Sequence, residues 1–144
     1  MSQRTIRMII EEQEPITAPA TMTVSAAARL MKERRVGAIM VVDEGTLAGI
    51  FTERDALIRV LAEERDVQTT RLADVMTRNP KTIHPDRSFA EALQMMYGGT
   101  FRHVPVVEDG RPVGMISARD ALGPELEAFV YEMLRQEQVG DILA

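Results

Sequence analysis

The sequence predicts an α+β protein made of two copies of one β-α-β-β-α unit, on three observations. The chain matches itself at an offset of 65: across residues 41–57, 8 of 17 positions are identical to those of 106–122, where ordinary residue frequencies give about one. In each copy, apolar residues recur at helical spacing and then change to the short unbroken runs of buried strands. Those runs are joined by a glycine-bearing turn of hairpin type, Asp43-Glu44-Gly45 in one copy and Glu108-Asp109-Gly110 in the other.

The elements follow in chain order. A short piece, Ile6 to Ile10, precedes a strand around Ile16-Thr17, and Pro19 leads on to a helix. Thr23 is its N-cap, and Val24, Ala27, Ala28 and Met31 fall on one face. A hairpin comes next: Ile39 to Val42, a three-residue turn whose last residue, Gly45, takes a positive φ, and Leu47 to Phe51. A second helix runs from Thr52 to about Glu64, and Arg65 to Arg71 is a polar linker.

In the second copy the preceding piece is Leu72 to Met76, aligned with Ile6 to Ile10 at an offset of 66. The strand is Thr82-Ile83, followed by Pro85. Ser88-Phe89-Ala90-Glu91 is a capping box ahead of the stripe Phe89, Leu93 and Met96. The hairpin pairs Val104–Val107 with Val113–Ile116, and Gly123-Pro124 cuts the next helix short. Pro124 then opens a last helix, with Leu126, Phe129, Val130, Met133 and Leu134 in one apolar stripe that packs either on its own module or on another chain. The expected divisions are 1–66, 67–123 and 124–144.

Composition narrows the function. A chain of 144 residues buries roughly two-thirds of its unfolded surface and needs no disulfide or metal staple. The absence of cysteine removes thiolate catalysis, cysteine-ligated zinc and iron–sulfur clusters. A net charge of −5 gives no electrostatic reason to bind nucleic acid. The longest apolar run, Ala38 to Val42, is far too short to cross a membrane. The acidic stretch Glu11-Glu12-Gln13-Glu14 arrives before a signal-peptide core could form, so a cytoplasmic location is expected.

The element with chemistry in it is the strand-to-helix junction, Gly49-x-x-Thr52-x-x-Asp55 and Gly114-x-x-Ser117-x-x-Asp120. A helix start favours an anion such as phosphate, and a hydroxyl there adds a donor. A carboxylate one turn in suits a neutral diol, as acids do with ribose. Phosphate plus ribose makes a nucleotide. The same spacing also reads as a capping box that needs no ligand.

Copy two has Arg102-His103-Val104-Pro105 where copy one has Gly37-Ala38-Ile39-Met40. Arg102 supplies a permanent charge and His103 a donor; the bland alternative is a solvated arginine and a hydrogen-bonded strand histidine. If the pair serves a ligand, the two sites differ, and the firmer phosphate grip lies in the pocket it faces.

These pieces, together with Thr23 through Met31, Pro85 through Met96 and Val104 through Val107, resemble the cystathionine-β-synthase-type (CBS) domain, which occurs in tandem as a Bateman module. The likeness covers roughly residues 6–122. It implies two copies packed sheet to sheet about a pseudo-twofold axis, with clefts that take adenosine ligands such as AMP, ADP, ATP, S-adenosylmethionine or NAD, and pairing of modules into a homodimer. It implies that Asp55 and Asp120 hold ribose, and that Thr52 and Ser117 stand on the phosphate side with Arg102 and His103. It further implies that Thr17-Ala18 and Thr82-Ile83-His84-Pro85 line the adenine pocket. Gly37, Ala38, Ile39, Arg54, Val104, Pro105 and Arg119 complete the candidate ligand-binding set.

No catalytic residue or metal ligand is expected: His84 and His103 are the only histidines, and no nucleophile elbow, Walker loop or metal cluster is visible. The leading expectation is a regulatory adenine-nucleotide module acting on an unidentified protein. The alternative is a ligand-free dimerisation or protein-interaction module.

Overall fold

The computed structural model describes residues 4–143, with side chains up to Glu137. Met1 to Gln3 and Ala144, the ends of the first and last expected divisions, lie outside the described residues. In order, the elements are α1 (Ile6–Ile10), β1 (Thr17–Pro19), α2 (Val24–Arg34), β2 (Ala38–Asp43), β3 (Thr46–Thr52), α3 (Glu53–Asp55), α4 (Leu72–Val75), β4 (Thr77–Arg78), α5 (Phe89–Gly99), β5 (His103–Glu108), β6 (Arg111–Ser117) and α6 (Gly123–Leu143).

The duplication is visible in local geometry. Strand β2 pairs antiparallel with β3, and β5 with β6, each with a bulge at the same place, between Val41 and Val42 and between Val106 and Val107. Helices α2 and α5 are capped at their starts by the hydroxyls of Thr23 and Ser88. Both end on a left-handed residue, Arg35 and Thr100. Glu91 turns toward Arg87 at 3.7 Å, so only the Ser88 half of that capping box forms.

Several sequence expectations are corrected. The hairpin turns hold two residues: Asp43 pairs with Thr46 and Glu108 with Arg111. Glu44 and Gly45 both take positive φ (50° and 80°), as do Asp109 and Gly110 (54° and 79°), the geometry whose twist matches that of paired strands. The helix after Thr52 is regular only through Asp55; Ala56–Leu61 continues as a π-helix with wider i→i+5 bonds such as Ala62 N–H to the Leu57 carbonyl. The equivalent segment in copy two is one 3₁₀ turn, Ala118–Asp120. Strand β1 begins at Thr17 and runs to Pro19, and in copy two the corresponding strand shrinks to one bridge between Ile83 and Val106. Ala28 is exposed, beside the buried Val24, Ala27 and Met31.

Two cores form, and the short leading pieces cross between them. Helix α1 lends Ile6 and Ile10 to the second core, with Phe89, Leu93, Val104 and Ile116. Helix α4 lends Leu72 and Val75 to the first, with Ala27, Ile39, Val41 and Phe51. Glycine makes both crossings possible, because a Cβ at Gly114 would meet Ile10 at 2.6 Å and one at Gly49 would meet the Thr77 carbonyl at 2.7 Å.

The first sheet has the order β1-β2-β3-β4. In the second, Gln13 takes part of the role of β4: its carboxamide accepts from the Met115 amide at 3.1 Å and donates to the Met115 carbonyl at 3.0 Å. The two sheets meet along β3 and β6.

The terminal stripe divides. Phe129 packs on the second core and meets Tyr97 edge to face, whereas Leu126, Val130 and Leu134 are about half exposed. Arg4 ties the chain start to this helix through two bonds to Glu125, at 2.6 and 2.9 Å, and a third to the Asp120 carbonyl. No helix among the described residues is long and apolar enough to cross a membrane.

Candidate functional site

Both strand-to-helix junctions fold as capping boxes, yet they differ in what is left over. In copy one the Asp55 carboxylate accepts from the Thr52 amide at 3.0 Å and from the Thr77 hydroxyl at 3.2 Å, with the Arg59 guanidinium 3.5 Å away. Asp55 is buried, and both its oxygens are engaged. In copy two the Asp120 carboxylate accepts from the Ser117 amide at 2.7 Å through one oxygen, Oδ2. Its Oδ1 has no partner among the described residues, and Asp120 lines an open cleft.

The cause lies outside the repeated motif. The offset that aligns α1 with α4 puts Glu11 where copy one has Thr77, and the offset of 65 puts Pro124 where it has Arg59. An acid and a proline offer a carboxylate no donor.

The cleft has a volume of about 490 Å³, inside the range of small-molecule sites. Its lining combines apolar side chains, Ile16, Val36, Met40 and Met115, with polar ones, Arg102, His103, Ser117, Arg119 and Asp120. Gly37, Ala38 and Glu53 complete it from copy one. His103 and Ser117 are brought side by side by the β5–β6 register.

Burial lowers the His103 pKa more than any other influence. Glu53 and Asp120 oppose that effect, while Arg119 and Arg102 reinforce it. At pH 7 the imidazole is therefore neutral and offers one donor and one acceptor. Thiols being absent, the described residues also hold no cluster of three or more acidic or histidine side chains fit for a metal.

Of the candidate residues, the cleft gathers Gly37, Ala38, Arg102, His103, Ser117, Arg119 and Asp120. Ala18, Ile39 and Val104 lie in the cores, and Pro105 is buried within β5. Thr17 is exposed on β1, one residue beyond the cleft-lining Ile16. Thr52 and Asp55 face their own cap, and Arg54 donates to the Thr100 carbonyl at 3.4 Å. Thr82 is exposed, while Ile83 and Pro85 are buried beside it. His84 joins a surface cluster with Asp86 and Glu108. Gln13, Glu14, Pro15, Ile16, Arg35, Val36, Met40, Glu53, Met115 and Ala118 also line the cleft and lie outside the expected set. The offset that pairs Glu53 with Ala118 was the one available signal, since it marks an acid present in a single copy.

A model of the CBS domain matches residues 8–62 and again 72–124. The CBS domain-containing protein CBSCBSPB1 of Arabidopsis thaliana is 36% identical over 121 residues, covering 83% of this chain and 22% of that protein. YhcV of Bacillus subtilis is 36% identical over 104 residues, covering 72% of this chain and 74% of its own. The chain thus spans about a fifth of the length of the Arabidopsis relative.

Among solved structures, a protein with CBS domains from Burkholderia ambifaria MC40-6 superposes with a TM-score of 0.76 at 33% identity, covering 81% of this chain and 90% of that one. The CBS domain pair of protein MJ0100, in complex with methylthioadenosine and S-adenosyl-L-methionine, gives 0.74 at 29%, covering 83% and 93%. PAE2072 from Pyrobaculum aerophilum, complexed with AMP, shares the fold at 0.77 and 24%, covering 89% and 98%. With the domain model matched in both halves and neighbours of the same build, this chain belongs to the CBS domain family and carries that domain as a tandem pair.

Proposed function

We propose that the chain is a non-catalytic regulatory module that binds an adenosine-containing nucleotide in the cleft between its two copies. The observation that carries this reading is the free Oδ1 of Asp120, which shares a cleft with Arg102, His103 and Arg119. A carboxylate accepts from a ribose diol, guanidinium groups and a neutral imidazole suit a phosphate, and the side chains of Met40 and Met115 offer apolar contact to a flat base. The adenosine compounds bound by the MJ0100 pair support the choice of nucleoside.

Binding that favours one angle between the copies would shift that angle for a regulated protein to read, in proportion to the difference in affinity. Modules pair as homodimers through Leu57, Ile58 and Leu61 on the π-helix and Leu126, Val130 and Leu134 on α6, all exposed apolar side chains. A thermal-shift panel of AMP, ADP, ATP, NAD and S-adenosylmethionine tests the nucleotide reading. A ligand at 100 times its Kd adds about 2.7 kcal/mol; no shift with any of the five overturns it in favour of a ligand-free interaction module.

A further inference from the structure

The geometry points to Glu53 as the specificity-determining residue of this cleft, selecting an adenosine ligand with one phosphate over its polyphosphate forms. The inference rests on the nucleotide reading above. The Glu53 amide donates to the Gly37 carbonyl at 2.9 Å, and its carboxylate lies over that glycine, 3.1 Å from where a Cβ would stand. The matching bond on the other copy runs from the Ala118 amide to the Arg102 carbonyl at 3.2 Å. Glu53 and Ala118 are therefore twins across the pseudo-axis. Both line the cleft, and only one carries a charge.

Glu53 lines the same cleft as His103, and of the charged groups it most opposes the effect of burial on that imidazole. With His103 neutral, the lining charges balance: Arg35, Arg102 and Arg119 face Glu14, Glu53 and Asp120. A balanced lining accommodates one phosphate beside the arginines. Each further phosphate adds negative charge to a lining that has no net positive charge and sets it against the carboxylate of Glu53, and like charges in a cleft oppose binding.

The test is isothermal titration of the whole chain with AMP, ADP and ATP in magnesium-free, low-salt buffer. The wild-type order is AMP tighter than ADP, and ADP tighter than ATP. Glu53→Gln keeps the shape, removes the charge and narrows the AMP-to-ATP affinity ratio by about three- to tenfold, as expected for one partly screened charge pair. Ala118→Glu widens the same ratio. High salt shrinks both effects. ATP binding as tightly as AMP to the wild type, or Glu53→Gln altering all three affinities equally, overturns the role of Glu53 and leaves nucleotide binding intact. Failure of all three to bind overturns the role of Glu53, and the nucleotide reading falls with it only if NAD and S-adenosylmethionine also fail to bind.

Discussion

Replacing each motif aspartate with alanine separates a structural acid from a ligand acid. Asp55→Ala removes a buried carboxylate held by the Thr52 amide and Thr77 hydroxyl, with Arg59 close by. Loss of the cap costs about 1 kcal/mol, and hydrogen bonds to charged groups contribute about 1.5–3 kcal/mol each. The sum, discounted for relaxation and for the exposure of Arg59, is about 3 kcal/mol. At about 3–4 °C per kcal/mol for a chain of this size, Tm falls by about 10 °C. Asp120→Ala loses one cap bond and costs about 1 kcal/mol. Nucleotide affinity reverses the order: Asp120→Ala weakens AMP binding by about tenfold or more, and Asp55→Ala leaves it near wild type. Thermal unfolding and titration calorimetry of both variants decide the matter. Equal losses of Tm would refute the argument, as would an Asp55→Ala protein of normal Tm that no longer binds AMP.

Three further outcomes follow from the same geometry. Because burial lowers the His103 pKa in the folded chain, the unfolded chain takes up a proton first as pH falls below about 6.5. This contribution to stability is full above that pH and lost as pH falls through the folded value; His103→Gln abolishes the dependence in urea titrations across pH 5–7.5 at roughly half-unit steps. Glu125 is held below the usual carboxylate range mainly by its hydrogen bond from Arg4, so its contribution is full above about pH 4.5 and lost as the pH drops through the folded value. Arg4→Ala removes that dependence, costs about 1–2 kcal/mol after allowance for partial exposure, and speeds hydrogen exchange in the first turn of α6. Glu44→Asn relieves a left-handed position in the first hairpin and raises stability by about 0.5 kcal/mol, read as a higher denaturant midpoint with unchanged slope.

What was legible in the sequence is what depends on near neighbours. Thr23 and Ser88 cap the expected helices because the N-cap bond spans three residues, and the hairpins fall where their apolar runs lie. The turns read one residue too long from sequence because Asp43 and Glu108 are polar residues at strand ends, where composition resembles a loop. Spacing alone puts Ala28 on the inner face, and a small side chain gives little force to hold that orientation. The divergence of Asp55 from Asp120 is hidden in a motif that reads alike twice; it depends on Thr77, which is 22 residues away and belongs to the leading piece of the second copy. Gln13 likewise meets Met115 at a separation of 102 residues, beyond the reach of any local pattern.

The exchange of α1 and α4 between the two cores has a consequence for inheritance. A gene fragment encoding either half alone yields a chain whose interior lacks its own plug and carries one meant for its absent sibling. Shuffling between genomes must therefore move the halves as a unit, and an insertion survives more readily at the hairpin tips than at the junction that joins them.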